Sequence, residues 1–106
     1  MPWVYLFVAG FLEIVWAVAM KQSAGFTRAG PTALMVVTMV GSFGFLALAM
    51  KSLPLGTAYP IWTGIGAVGA FAFGVLVLAE AASPMRVLAL ALIVAGIVLL
   101  KMSAPQ

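Results

Sequence analysis

The chain has 106 residues, of which 66% are hydrophobic and 7% are charged. A soluble domain carries about 25% charged residues, so this composition argues against a soluble monomer. Cysteine and histidine are both absent. Their absence excludes a disulfide framework, a Cys/His metal site and a Cys–His or Ser–His catalytic pair. We therefore expect no cofactor, no metal and no enzyme activity.

Long apolar runs separate the charged residues, and each run is close to the roughly 20 residues that a helix needs to cross a bilayer. The charged residues are Glu13, Lys21, Arg28, Lys51, Glu80, Arg86 and Lys101. We predict an all-α membrane protein with four transmembrane helices, in a single domain over residues 1–106. The expected helices cover about residues 2–20, 31–50, 57–79 and 85–100.

The loop charges give almost no signal for orientation in the membrane. With four spans, one side holds Lys21, Arg28 and Arg86, and the other side holds Lys51 and Lys101 with the terminal amine. Such charges usually set orientation rather than bind nucleic acid, and three against two is almost no bias. The count leaves two interpretations open. The protein inserts both ways up and pairs as an antiparallel homodimer, or it has a weakly biased single topology.

The first predicted helix carries Glu13 at the middle of its apolar span. A carboxylate at bilayer depth is costly and usually faces a bundle interior or a wet cavity, where it marks an ion or proton path. A carboxyl group that binds either a proton or a cation is the simplest site that can exchange protons for cations across a membrane. The alternative is a protonated, hydrogen-bonded Glu13 with a structural role. Trp16 lies one turn away and can donate its indole N–H or present its ring face to a cation.

The next two predicted helices carry polar and amphipathic side chains near Glu13. Ser42 lies near the middle of the second helix, and its hydroxyl has two expected partners. These are a carboxylate on the first helix or its own backbone four residues back. In the third helix, Tyr59 and Trp62 share one face with Gly66. Their rings reach either a bound cation or the lipid headgroups.

Small residues mark two further features. Gly64 and Gly66, with Gly69, loosen the middle of the third helix, where a kink would serve as a hinge. In the fourth helix, Gly96 follows Ala89 by seven residues, a spacing of small residues that is typical of helix–helix contacts. We therefore expect Gly96 to lie in a contact between helices.

The second acidic residue, Glu80, differs from Glu13 in its place along the chain. It lies at the edge of the third predicted loop, whereas Glu13 lies in mid-span. We interpret Glu80 as a solvated turn residue within reach of Arg86 and water. It is therefore not a candidate for the cation site.

Two stretches of the sequence carry a resemblance to a known family. The stretches are GFLEIVWA at 10–17, followed by Lys21 and GFTR at 25–28, and KSLPLGTAY at 51–59, followed by WTGIGA at 62–67. They resemble the small multidrug resistance family of bacterial inner-membrane exporters, and in particular its guanidinium-exporter branch. The quaternary-ammonium branch typically has a small residue in place of Trp16. The resemblance covers essentially the whole chain.

The resemblance implies an antiparallel, dual-topology homodimer that exports guanidinium, or a related small cation, in exchange for protons. Glu13 from each subunit would bind protons and substrate in competition. The region around Gly96 would hold the dimer together within the membrane lipid, and the glycines of the third helix would supply its kink. The residues implied to line the pocket beside Glu13 are Trp16, Ser42, Tyr59 and Trp62.

Two other functions remain open at this point. One is a polyspecific exporter of quaternary ammonium and other hydrophobic cations. Binding assays with guanidinium and tetraalkylammonium compounds would distinguish it from a guanidinium exporter. The other is a non-transporting membrane partner protein, or half of a heterodimer. The chain contains every pocket residue itself, which argues against the need for a second gene product.

One position, Pro60, departs from the family pattern, in which we expect alanine. If Thr57 caps the third helix, Pro60 falls in its first turn and costs no backbone hydrogen bond. If the helix begins at Pro54, Pro60 lies inside it and kinks it beside Tyr59 and Trp62. The second case would alter the shape of the pocket.

Overall fold

The computed structural model describes residues 2–103, which form four α-helices joined by short loops. The helices are α1 (Pro2–Gln22), α2 (Ala29–Ala49), α3 (Leu55–Leu76) and α4 (Pro84–Ser103). Each of these helices is long and apolar enough to cross a membrane. The prediction of an all-α membrane protein with four spans is therefore confirmed.

The first helix begins at the expected residue, and the other helix ends differ from the expected ones by one to three residues. α2 begins two residues before Pro31, which therefore lies within the first turn, where its missing N–H leaves no bond unmade. α3 begins at Leu55, because Pro54 has an extended backbone and serves as the N-cap. It ends at Leu76, and Ala79 beyond it has a φ of 57°, a left-handed conformation that a right-handed helix does not contain.

The four helices form a flat layer. α1 packs against both α2 and α3, which touch each other beside it, and α4 packs mainly on α3. The Cα trace measures 43 × 34 × 16 Å, so the layer is less than half as thick as it is wide. α4 buries none of its residues. The layer therefore leaves two broad faces, and neither is covered by a further helix of the described chain.

Glycines on α3 allow its neighbours to come close on both sides. A Cβ placed at Gly64 would lie 2.6 Å from a methyl group of Ile97 on α4, and one at Gly69 would collide with Ile14 on α1. Small residues at such points let helix backbones approach within a membrane. α3 runs as one continuous helix through these positions, and the expected hinge stays a prediction. The core beside them contains Leu6, Ala9, Leu46, Ala49, Leu53, Ala58, Ile61 and Trp62.

Pro60 lies inside α3 as its sixth residue, as in the second of the two expected cases, and the kink expected there stays a prediction. Proline has no N–H, and the carbonyl of Gly56, four residues earlier, therefore has no helical donor. Both Gly56 and Pro60 are exposed. The first turns of α3 are consequently held by fewer hydrogen bonds than those of an ordinary helix, directly beside Tyr59.

Candidate functional site

A buried polar link joins the three helices at the centre of the layer. Ser42 of α2 is fully buried, and its Oγ donates a hydrogen bond of 2.6 Å to the carbonyl oxygen of Ala9 on α1. The same Oγ accepts a bond of 2.9 Å from the indole Nε1 of Trp62 on α3. The expectation of a carboxylate or a local backbone partner for Ser42 was therefore wrong. The small side chain at Ala9 lets α2 approach until the carbonyl of α1 is within reach.

The Glu13 carboxyl group packs against α3 at Gly66. A Cβ at Gly66 would collide with that carboxyl group, so only glycine leaves room for it. The Oε1 atom of Glu13 is buried and has no hydrogen-bond partner within residues 2–103. A buried polar atom without a partner costs about 1–3 kcal/mol, and more when it is charged. This oxygen therefore favours a proton, a water molecule or a cation beside it.

Trp16 shows the complementary feature on the same helix. Its indole Nε1 is buried and also lacks a hydrogen-bond partner in the described part of the chain. Glu13 and Trp16 are three residues apart and thus neighbours on one face of α1. An unused acceptor and an unused donor in adjacent positions are typical of a binding site rather than of a packing surface.

Four aromatic rings form a continuous wall beside Glu13. Trp16 and Phe43 have ring centroids 6.5 Å apart, and Phe43 and Trp62 are 5.8 Å apart, both in edge-to-face geometry. Tyr59 follows at 5.6 Å from Trp62. Tyr59 and Phe43 are about half exposed, so the wall opens onto one broad face of the layer. Ring faces of this kind attract cations.

The structure thus brings most of the predicted site residues together. Glu13, Trp16, Ser42 and Trp62 gather where α1, α2 and α3 meet, with Tyr59 at the open edge. Phe43 was not among the residues predicted from the sequence. Its place in the wall follows from the packing of α2 on α1, which no single-sequence spacing shows.

The other predicted residues lie elsewhere. Gly96 lies on α4, and a Cβ there would meet open space within this chain. Glu80 is exposed, and its carboxyl group lies against Gly74 at the end of α3. Arg86 donates to the Ala81 carbonyl at 2.7 Å and lies over the ring of a phenylalanine on α3. Neither Glu80 nor Gly96 is part of the Glu13 cluster.

Comparison with known protein sequences assigns the chain to a family. A sequence model described as Small Multidrug Resistance protein matches residues 1–93. The chain belongs to the small multidrug resistance family. Together with the four apolar helices, this membership makes it a multi-pass transmembrane transporter of the bacterial inner membrane. The resemblance inferred from the sequence is confirmed.

Known proteins with similar sequences cover almost the whole chain. A protein of Salmonella typhimurium named guanidinium exporter is 57% identical over 104 residues, which are 98% of this chain and 99% of the relative. The guanidinium exporter of Escherichia coli strain K12 is 55% identical over 103 residues, or 97% and 98% of the two chains. A protein of the same name from Citrobacter freundii is 53% identical over 103 residues.

Proposed function

We propose that the protein exports guanidinium across the inner membrane in exchange for protons, and that both ligands compete for a pair of Glu13 carboxylates. The observation that carries the proposal is the buried Glu13 oxygen without a partner beside the aromatic wall. Relatives that are more than half identical over almost the full length of the chain are named guanidinium exporters, which supports the choice of substrate.

Guanidinium fits the chemistry of this site. The ion is planar and offers pairs of N–H donors that match a carboxylate in bidentate fashion, and its face stacks on aromatic rings. Glu13 supplies the carboxylate, and Trp16 and Tyr59 supply rings on either side along the wall. Ser42 donates its hydroxyl hydrogen to the Ala9 carbonyl and accepts a bond from Trp62, so its role is to hold the Trp62 ring in place.

A second copy of the chain completes the site in this proposal. A single chain does not enclose a cation at this site, because the aromatic wall opens onto a broad face of the flat layer. An antiparallel partner would place a second Glu13 opposite the first. Two facing carboxylates repel each other, and either a proton on one acid or a cation between them relieves the repulsion. Proton and guanidinium therefore displace each other.

Alternation between inward-facing and outward-facing states requires a helix that moves and a contact that keeps the two subunits together. We assign the first role to α3 around Gly64 and Gly66, where a hinge would let one subunit open while its inverted partner closes. We assign the second to α4, which buries no residue within one chain and offers open space at Gly96.

Currents on a solid-supported membrane test the transport proposal. Vesicles with the wild-type protein should give a transient current when guanidinium is added, and Glu13→Gln should give none. Glu80→Gln is the matched control, because it removes the same charge outside the cluster, and it should keep the current. A current that survives in Glu13→Gln, or a wild-type response to tetrapropylammonium that exceeds the response to guanidinium, would contradict the proposal.

Dimerisation is tested by filling the open space on α4. Gly96→Leu should shift the purified protein towards monomers and abolish transport, whereas Gly44→Leu should do neither. A Cβ meets no other atom of the described chain within 4 Å at either position, so neither change begins with a clash inside one subunit. Cross-linking in the membrane measures the dimer fraction. If Gly96→Leu forms as large a fraction of dimers as the wild-type protein, α4 does not form the dimer interface at this position.

A further inference from the structure

A cavity of about 530 Å³ lies on the side of α1 that faces away from Glu13. We call it the α1–α2 groove, because it runs between these helices, with one ring from α3 at its side. Its size falls in the usual range of ligand pockets, roughly 300–1,000 Å³. None of its residues belongs to the Glu13 cluster. Its apolar walls are formed by Phe11, Ile14, Val15, Val18, Leu34 and Phe73.

The groove has the length of one lipid chain in one leaflet. It follows α1 from Phe11, at the middle of the helix, to Gln22, at its end. Eleven residues of helix rise about 16 Å, which is close to half of the roughly 30 Å hydrocarbon core of a bilayer. An apolar channel from the bilayer centre to the interface suits an acyl chain.

The interface end of the groove is positively charged. Arg28 and Gln22 line the cavity there, where the loop between α1 and α2 reaches the headgroup level. Arg86, at the same membrane side, uses its guanidinium group on a backbone carbonyl and a phenyl ring. The Arg28 guanidinium makes no such contact within residues 2–103. It is therefore available to an anion, and guanidinium groups bind phosphate in bidentate fashion.

We propose that the α1–α2 groove binds one anionic phospholipid, with an acyl chain along α1 and its phosphate on Arg28. Basic pockets at the ends of transmembrane helices are typical sites for anionic headgroups. The charge at Arg28 favours this occupant over a second copy of the chain, because the apolar faces of the helices offer it no counter-charge. The lipid site is separate from the transport site on the other face of α1.

Native mass spectrometry tests this proposal with protein taken from vesicles of equal phosphatidylglycerol and phosphatidylcholine content. The wild-type protein should retain phosphatidylglycerol about fivefold over phosphatidylcholine. Arg28→Gln should lose this preference. Lys21→Gln should keep it, because Lys21 has the same charge at the same membrane side but lines a different cavity, beside Glu80.

A second variant tests the acyl-chain part of the groove. Gly30→Leu places a side chain into the groove, where a Cβ meets no other atom, and should lower the retention of both lipids. Gly44→Leu, on the same helix but outside the groove, should retain them as the wild type does. Equal retention of the two lipids by the wild-type protein would overturn the proposal. So would an equal loss in Lys21→Gln, or a Gly30→Leu variant that changes the dimer fraction but not the lipid count.

Discussion

The two acidic side chains of the protein both lie against a glycine of α3, yet their surroundings differ. Glu13 meets Gly66 in mid-membrane, and its Oε1 is buried without a partner in the described chain. Glu80 meets Gly74, eight residues or about 12 Å further along the helix, and is exposed. The residue type and the glycine contact are the same in both regions. The difference between the two carboxyl groups therefore comes from their depth in the membrane and from the side chains around them.

The neighbours of Glu80 stabilise a turn. Its backbone N–H donates to the carbonyl of Gly74 at 2.9 Å, and the Ser83 hydroxyl accepts a bond from the N–H of Arg86 at the start of α4. Lys21 lines the same small cavity as Glu80 and supplies a nearby positive charge. Glu80 thus lies exposed with a lysine in the same cavity, whereas the buried Glu13 oxygen lacks a partner in the described chain.

The largest difference between the two regions is expected when the glycine beside each acid is replaced by alanine. Gly66→Ala should lower guanidinium transport roughly a hundredfold, because its Cβ displaces the Glu13 carboxyl group by an ångström or more. Gly74→Ala should leave transport nearly unchanged, since the exposed Glu80 side chain can turn into water. Initial rates of guanidinium uptake into vesicles measure both variants. Equal losses in the two would mean that depth does not distinguish the acids.

A smaller effect is expected from the serine in each region. Ser42→Ala leaves the Trp62 N–H without a partner inside the layer and removes the second bond to the Ala9 carbonyl, at a cost of about 2 kcal/mol of folding free energy. Ser83→Ala removes only an exposed helix cap and should cost about 1 kcal/mol. Unfolding followed by circular dichroism in detergent compares them. A Ser42→Ala protein as stable as Ser83→Ala would show that the buried link is dispensable.

The smallest effect is expected from the prolines. Pro60→Ala gives the Gly56 carbonyl a donor again and should stabilise the protein by about 1 kcal/mol, less than the roughly 3 kcal/mol of a helix interior, because Gly56 is exposed. Pro84→Ala should change little, since Pro84 is the first residue of α4 and its N–H would have no helical partner. The same unfolding measurement applies. Destabilisation in Pro60→Ala would show that the proline fits its turn without loss.

The sequence predicted the four spans and made Glu13 a candidate site residue, because both inferences depend on local physics. An apolar run of membrane length and a charge inside it need no knowledge of tertiary contacts. The end of α3 was missed, since Ala79 carries no sign of its left-handed backbone. The start of α3 was missed because Leu55 and Gly56 resemble the loop before them.

The packing partners could not be predicted from the sequence. The bond from Ser42 to the Ala9 carbonyl depends on how closely α2 approaches α1, which only the assembled layer determines. The glycines of α3 were interpreted as a hinge, but in the structure their visible effect is to make room for Glu13, Ile14 and Ile97. Both features depend on contacts between helices that are far apart in sequence.

Proton release on substrate binding tests the central claim most directly. Guanidinium is added to the purified protein in a weakly buffered solution, and a pH indicator reports the protons set free. The wild-type protein and Glu80→Gln should both release protons as guanidinium binds, and Glu13→Gln should release none. Guanidinium binding to the wild-type protein without proton release would contradict the account, because the two ligands would then not share Glu13.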